Sequence, residues 1–346
     1  MKRPVEPFPL SEQDLAVVMG QQDSLSAFCR LVAAELYILR RRRLSKVLLA
    51  VGVAAIIGFV CLLGVFTWSL LTRPLSDFVP PFCSSGLHLP GCVTHLPTRI
   101  DMEQYKQIQL RETADNLSLP SSMSSIGETL LINILFVLVL IFAGTMVGDE
   151  YRLGTVRLLY TRGSTRLHFL FAKVATVIIC ILPIVLLLML LGVFLGEALY
   201  AQLGFSTGWS FFTASWLEHA ILFVLLIALA WFTYAMLAIF FGTLARSTVA
   251  AVLAPFVWDI VESALRELIR AFAAGSSGPF TTIVKAIPDY FIANNMIALL
   301  DNQGHFVFGG DLSSLSNPHA LGVLAVYLVL FMGLSCWLTV KRDVTN

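Results

Sequence analysis

Between residues 47 and 71 the chain runs for 25 residues without one charged side chain. That is long enough to cross the roughly 30 Å hydrocarbon core of a bilayer as a helix. Runs 129–147, 174–196, 220–241 and 320–340 are uncharged as well. Inside a bilayer each segment has to satisfy its own backbone N–H and C=O groups, and apolar runs of this length do so as helices. With 57% of residues hydrophobic, 13% charged and a mean hydropathy of +0.82, one water-soluble core cannot absorb the apolar surface. The class expected is therefore an all-α integral membrane protein. A further run, 247–265, contains Pro255 and carries Asp259 and Glu262, and it completes a set of six spans.

Charge placement orients those spans. Residues 1–46 form an arm in which Leu25, Phe28, Leu31, Val32, Leu36 and Leu39 recur at helical spacing. This predicts a helix lying in the interface, closed by Arg40, Arg41, Arg42, Arg43 and Lys46. Putting residues 1–46, 148–173, Arg246 and the tail on the cytoplasmic side gives that side 16 of the 23 Lys and Arg residues. Both termini are then cytoplasmic, residues 47–346 form the six-span domain, and 72–127 is an extracytoplasmic loop with a helix of its own near 99–116. Residues 266–319 read as two half-length apolar segments around a Gly-Ser turn, re-entrant helices in the outer leaflet before span six.

Catalytic signatures are missing from the sequence. It has no G-x-x-x-x-G-K-[ST] loop for phosphates, no H-E-x-x-H for zinc and no G-x-S-x-G nucleophile turn. Asp259 and Glu262 lie three apart on one helical face, with Arg266 four further on; they read either as an ion-paired stripe or as part of a substrate path. In the outer loop, Cys83 and Cys92 read as a disulfide on the oxidising side of the membrane, with free thiols or a site shared with His88 and His95 as the alternatives. The Cys/His spacing matches none of the usual zinc patterns, so no metal is expected.

The segment 148–173, GDEYRLGTVRLLYTRGSTRLHFLFAK, needs more than a topology signal to explain it. Leu153, Val156, Leu158 and Leu159 give it an apolar side, Gly163-Ser164 breaks the helix, and its Arg residues are regularly spaced. The pattern Glu150, Gly154-Thr155, Leu158-Leu159, Thr161-Arg162, Ser164 and Arg166, then Lys173 entering an apolar helix, resembles the loop after the second span of ABC-type-2 permeases. Those are the membrane subunits of ATP-binding-cassette exporters. The resemblance implies an N-terminal interfacial helix, six spans, a cytoplasmic coupling helix between spans two and three, and re-entrant helices before span six.

It also implies a pathway built by two permease chains in the cell membrane, identical or different, each docked to a separate ATP-binding subunit. ATP and Mg would bind in that partner, with no cofactor in this chain. Docking would fall to Glu150, Arg152, Thr155, Arg157, Arg162 and Arg166, with Gly154 allowing close backbone approach. The competing classes are an ion-gradient-driven secondary transporter, with Pro183 and Pro255 marking broken helices, and a membrane-embedded enzyme or assembly factor. Alkylation before and after reduction tests the loop: Cys83 and Cys92 are expected to resist alkylation until a reductant is added, and full labelling beforehand removes the bridge.

Overall fold

The computed structural model describes residues 24–81, 92–93, 96–153, 166–274 and 278–341, and its elements are helical. Helix α1 (Ser24–Arg41) meets α2 (Arg43–Thr72) at Arg42, whose extended backbone turns the chain. Beyond α2, α3 (Arg99–Asp115) begins at a capping box: Asp101 N–H donates to the Thr98 hydroxyl at 3.3 Å, and Thr98 N–H to the Asp101 carboxylate at 2.7 Å. Lys106 Nζ ties α3 to the C-terminal end of α2 through the carbonyls of Leu71 and Arg73. Cys92 is disulfide-bonded, whereas Cys83 lies outside the described residues; Cys29, Cys61, Cys180 and Cys336 are free thiols.

The second apolar run is not one straight helix. A π-helical segment, Ser125–Ile132, precedes α4 (Phe136–Leu153), and the two are bent by 42°. Its widened turn is visible in the N–H of Leu135, which donates to Leu130, five residues back, at 2.9 Å. The Asn133 side-chain amide donates within its own segment, to the Glu128 carbonyl 2.7 Å away. The Asn133 backbone N–H donates to the same carbonyl at 3.3 Å, and the two bonds supply partners where the regular ladder fails.

Two other helices exceed their apolar runs. Helix α5 (Arg166–Gln202) passes through Pro183, and α7 (Thr248–Ala274) passes through Pro255. The fifth span expected over 247–265 is thus a 27-residue helix, whose inward stripe continues past buried Glu262 to half-buried Arg266 and Ile269. Helix α6 (Ala214–Ala245) lies between them in the chain. It turns into α7 through Arg246, whose backbone is left-handed at φ 52°.

Short α8 (Pro279–Ala286) and its 3₁₀ continuation to Tyr290 lead into α9 (Ile292–Phe308), and these two arms are bent by 76°. Helix α10 (Asn317–Lys341) ends the described chain. Among the described residues five helices are long and apolar enough to cross a membrane, or up to seven elements if each bent pair counts as one span. That is the pattern of a multi-pass membrane protein.

Helix α6 occupies the centre and packs against α4, α5, α7, α9 and α10. Ala228, Ala230, Ala235, Ala238 and Gly242 keep its surface low, which lets neighbouring backbones approach. Two indoles pin it in place: Trp231 Nε1 donates to the Leu131 carbonyl at 3.0 Å and Trp216 Nε1 to the Val307 carbonyl at 2.9 Å. The α4–α7 crossing is closer still. Gly144 and Gly148 form a G-x-x-x-G pair against it, and a Cβ on Gly148 would lie 2.4 Å from Thr248 Cα. Gly148→Ala is expected to cost about 1–3 kcal/mol through overpacking and to lower the thermal midpoint in detergent, while Gly58→Ala, with nothing within 4 Å, should not.

Candidate functional site

Helix α1 buries one apolar side because Val32 and Leu39 face the bundle while Tyr37, Ile38 and Arg40 are exposed. Its single acidic residue, Glu35, points at Lys173 in α5, and the Nζ to Oε1 distance is 3.1 Å. The Lys173 side chain is only 1% exposed. Besides Glu35 it donates to the Met146 carbonyl at 3.0 Å, and it lies 4.7 Å from the centre of the Phe169 ring. A buried ammonium is tolerable only with such a set of partners. The lysine therefore joins α1, α4 and α5 at one point.

A second ion pair forms where α1 ends. Arg42 donates to the carboxylate of Asp149, whose other oxygen accepts from the Thr248 hydroxyl at 3.0 Å. Thr248 opens α7, and it is the residue against which Gly148 packs. Asp149 thus connects the end of α1, the last part of α4 and the start of α7. Both bridges sit at the base of the 148–173 segment, one before and one after its centre. Tyr37, Arg41, Thr145 and Met146 join Glu35, Arg42 and Asp149 around a cavity of about 490 Å³ between α1 and α4.

Of the docking residues read from the sequence, Gly154, Thr155, Arg157 and Arg162 lie outside the described residues. Glu150 and Arg152 have their backbones in the end of α4 and Arg166 opens α5, while their side chains lie outside the description too. Residues Glu35 and Thr248 were not singled out by sequence reasoning. The isolation of Glu35 among basic and apolar neighbours was the signal available for it, but its partner is 138 residues away.

Asp259, Glu262 and Arg266 share the inner face of α7 without pairing with one another among the described residues. The Asp259 carboxylate accepts from the Tyr234 hydroxyl of α6, and Arg266 Nε is 3.7 Å from Glu267. Glu262, 6% exposed, accepts from Trp258 Nε1 at 2.9 Å and from the backbone N–H groups of Ile292 and Ala293 at 3.1 and 3.0 Å. These are the first N–H groups of α9, which have no partner within their own helix. The positive end of α9 therefore takes the carboxylate that an arginine was expected to hold. No group of three or more His, Cys, Asp or Glu side chains suited to a metal ion occurs among the described residues.

A bundle built from helices this long and apolar defines a multi-pass helical membrane protein. Within that class the chain belongs to the family described as "Protein of unknown function (DUF2705)", whose model matches residues 107–345, from within α3 to the tail. No curated protein and no solved structure matches the chain. The paired charge is open to measurement. Glu35→Gln should destabilise the protein by about 3 kcal/mol, since breaking one partner strands a buried charge, and adding Lys173→Met should return most of that loss in denaturant unfolding from micelles.

Proposed function

We propose that this chain is the membrane-spanning permease subunit of an ATP-binding-cassette exporter. In this reading six of the apolar elements span the cell membrane, both termini are cytoplasmic, and residues 279–308 form the re-entrant pair. Two permease chains build the pathway, and a separate subunit binds and hydrolyses ATP with Mg.

The observation that carries the reading is the double bridge at the base of the 148–173 segment. Arg42 to Asp149 and Glu35 to Lys173 tie both ends of that segment to α1, and Thr248 extends the tie to α7. A force applied to the segment by a moving partner would be passed to α1, α4, α5 and α7 together. Rigid-body displacement of packed helices is an ordinary way to convert such a local push into a rearranged pathway. The sequence also holds no phosphate loop, so the energy source would lie in another chain.

Affinity purification of the chain from its native membrane should bring down an ATP-binding subunit, and the complex should hydrolyse ATP faster than that subunit alone. Arg157→Glu is expected to reduce this stimulation about tenfold, equivalent to some 1.4 kcal/mol, with membrane abundance unchanged. Transport by the isolated chain on a proton or sodium gradient, without an ATPase, would replace this reading with the secondary transporter.

A further inference from the structure

A cavity of about 420 Å³ opens between α1, α2, α4 and α5, and Trp231 of α6 forms part of its wall. Its interior is apolar: Leu39, Leu138, Ile184 and Leu188 line it, and Gly52 leaves space that a side chain would fill. The mouth has the opposite character. Arg40, Ser45 and Lys46 stand around it where α1 turns into α2.

The basic residues of this turn are not equivalent. Arg42 is committed to Asp149, and the Arg41 guanidinium lies 4.8 Å from the centre of the Tyr37 ring. Arg40 and Lys46, the two at the cavity, form no ion pair among the described residues, and both are exposed. Helix α2 also starts without a side-chain cap, so its first N–H groups add positive potential on the same side. An apolar slot under an unpaired positive rim, at a membrane surface, is complementary to an amphiphile with a negative head.

We propose that this cavity holds one acyl chain of an anionic phospholipid, with its phosphate against Arg40, Ser45 and Lys46. A lipid tail is about as apolar as a leucine-lined wall, so moving the tail from the bilayer into the slot discriminates little. Selection falls on the headgroup, where each nearby Lys or Arg favours negative lipid. The bound lipid would brace the angle between α1 and α2, and through it the pairs made by Glu35 and Arg42. The proposal needs a membrane around the chain and does not depend on the exporter reading.

The test is native mass spectrometry of the full chain extracted from vesicles of dioleoyl phosphatidylglycerol and dioleoyl phosphatidylcholine in equal amounts. The wild type is expected to retain one phosphatidylglycerol per chain. Arg40→Gln with Lys46→Gln should lower the preference for phosphatidylglycerol about tenfold. Gly52→Leu should displace the lipid with the charges intact; the Cβ position lies 3.5 Å from Leu138 and Leu188, ordinary contact distance, so the helix can carry a side chain there. Circular dichroism and thermal midpoint identify folded variants, and only folded variants are scored. Equal retention of the two lipids by the wild type, or unchanged retention in both variants, overturns the proposal. So does a lipid-free chain that runs as a dimer, which would give the cavity to a second copy.

Discussion

An ammonium with almost no access to water, at Lys173, governs how the N-terminal helix must lie. Cations of this kind are stable in a protein interior only when an anion and further acceptors surround them. Glu35, the Met146 carbonyl and the Phe169 ring supply that surround from three different helices. The amphipathic helix α1 is consequently not free to choose its position against the bundle. It is registered against α4 and α5 by one charge pair and against α7 by another, through Asp149 and Thr248. Helix α1 and the bundle thus behave as one mechanical piece at that end.

At the other end polarity is handled differently. Carboxylates there meet backbone N–H groups more than cations: Glu262 holds the start of α9, and Glu197 accepts from the Leu119 N–H and the Thr207 hydroxyl, both at 2.6 Å. Helix starts and irregular turns leave N–H groups that the hydrocarbon cannot satisfy, and glutamate side chains reach them. The bent pair Thr281–Tyr290 and Ile292–Phe308 can be non-helical at its corner because it is packed on protein.

Much of the fold was legible because apolar runs are read directly as helices. Runs 47–71 and 320–340 correspond closely to α2 and α10, and the helix expected near 99–116 begins with the capping box that Thr98 and Asp101 encode. Helix ends were harder, since hydropathy marks where residues turn polar whereas a helix stops only where its hydrogen bonds stop. Helix α5 accordingly reaches back to Arg166 and forward to Gln202 beyond its uncharged core. The π turn depended on how Asn133 and its backbone share the Glu128 carbonyl, a detail without hydropathic signature. For the candidate site, Asp149 and Lys173 stood within the segment that sequence reading marked. Their partners came from residues 107 and 138 positions away, which no local pattern reports.

The cap that Glu262 places on α9 has a geometric consequence for α7. Successive residues of a helix are turned by about 100°, so even a one-residue rotation of α7 about its own axis would swing Glu262 away and strand two N–H groups in apolar surroundings. Asp259, bonded to Tyr234, resists the same rotation. Near the opposite end, Gly148 lets α4 lie directly on the Thr248 backbone, a close pivot held by the Thr248–Asp149 hydrogen bond. The inexpensive motion left to α7 is a tilt about that pivot, not a roll.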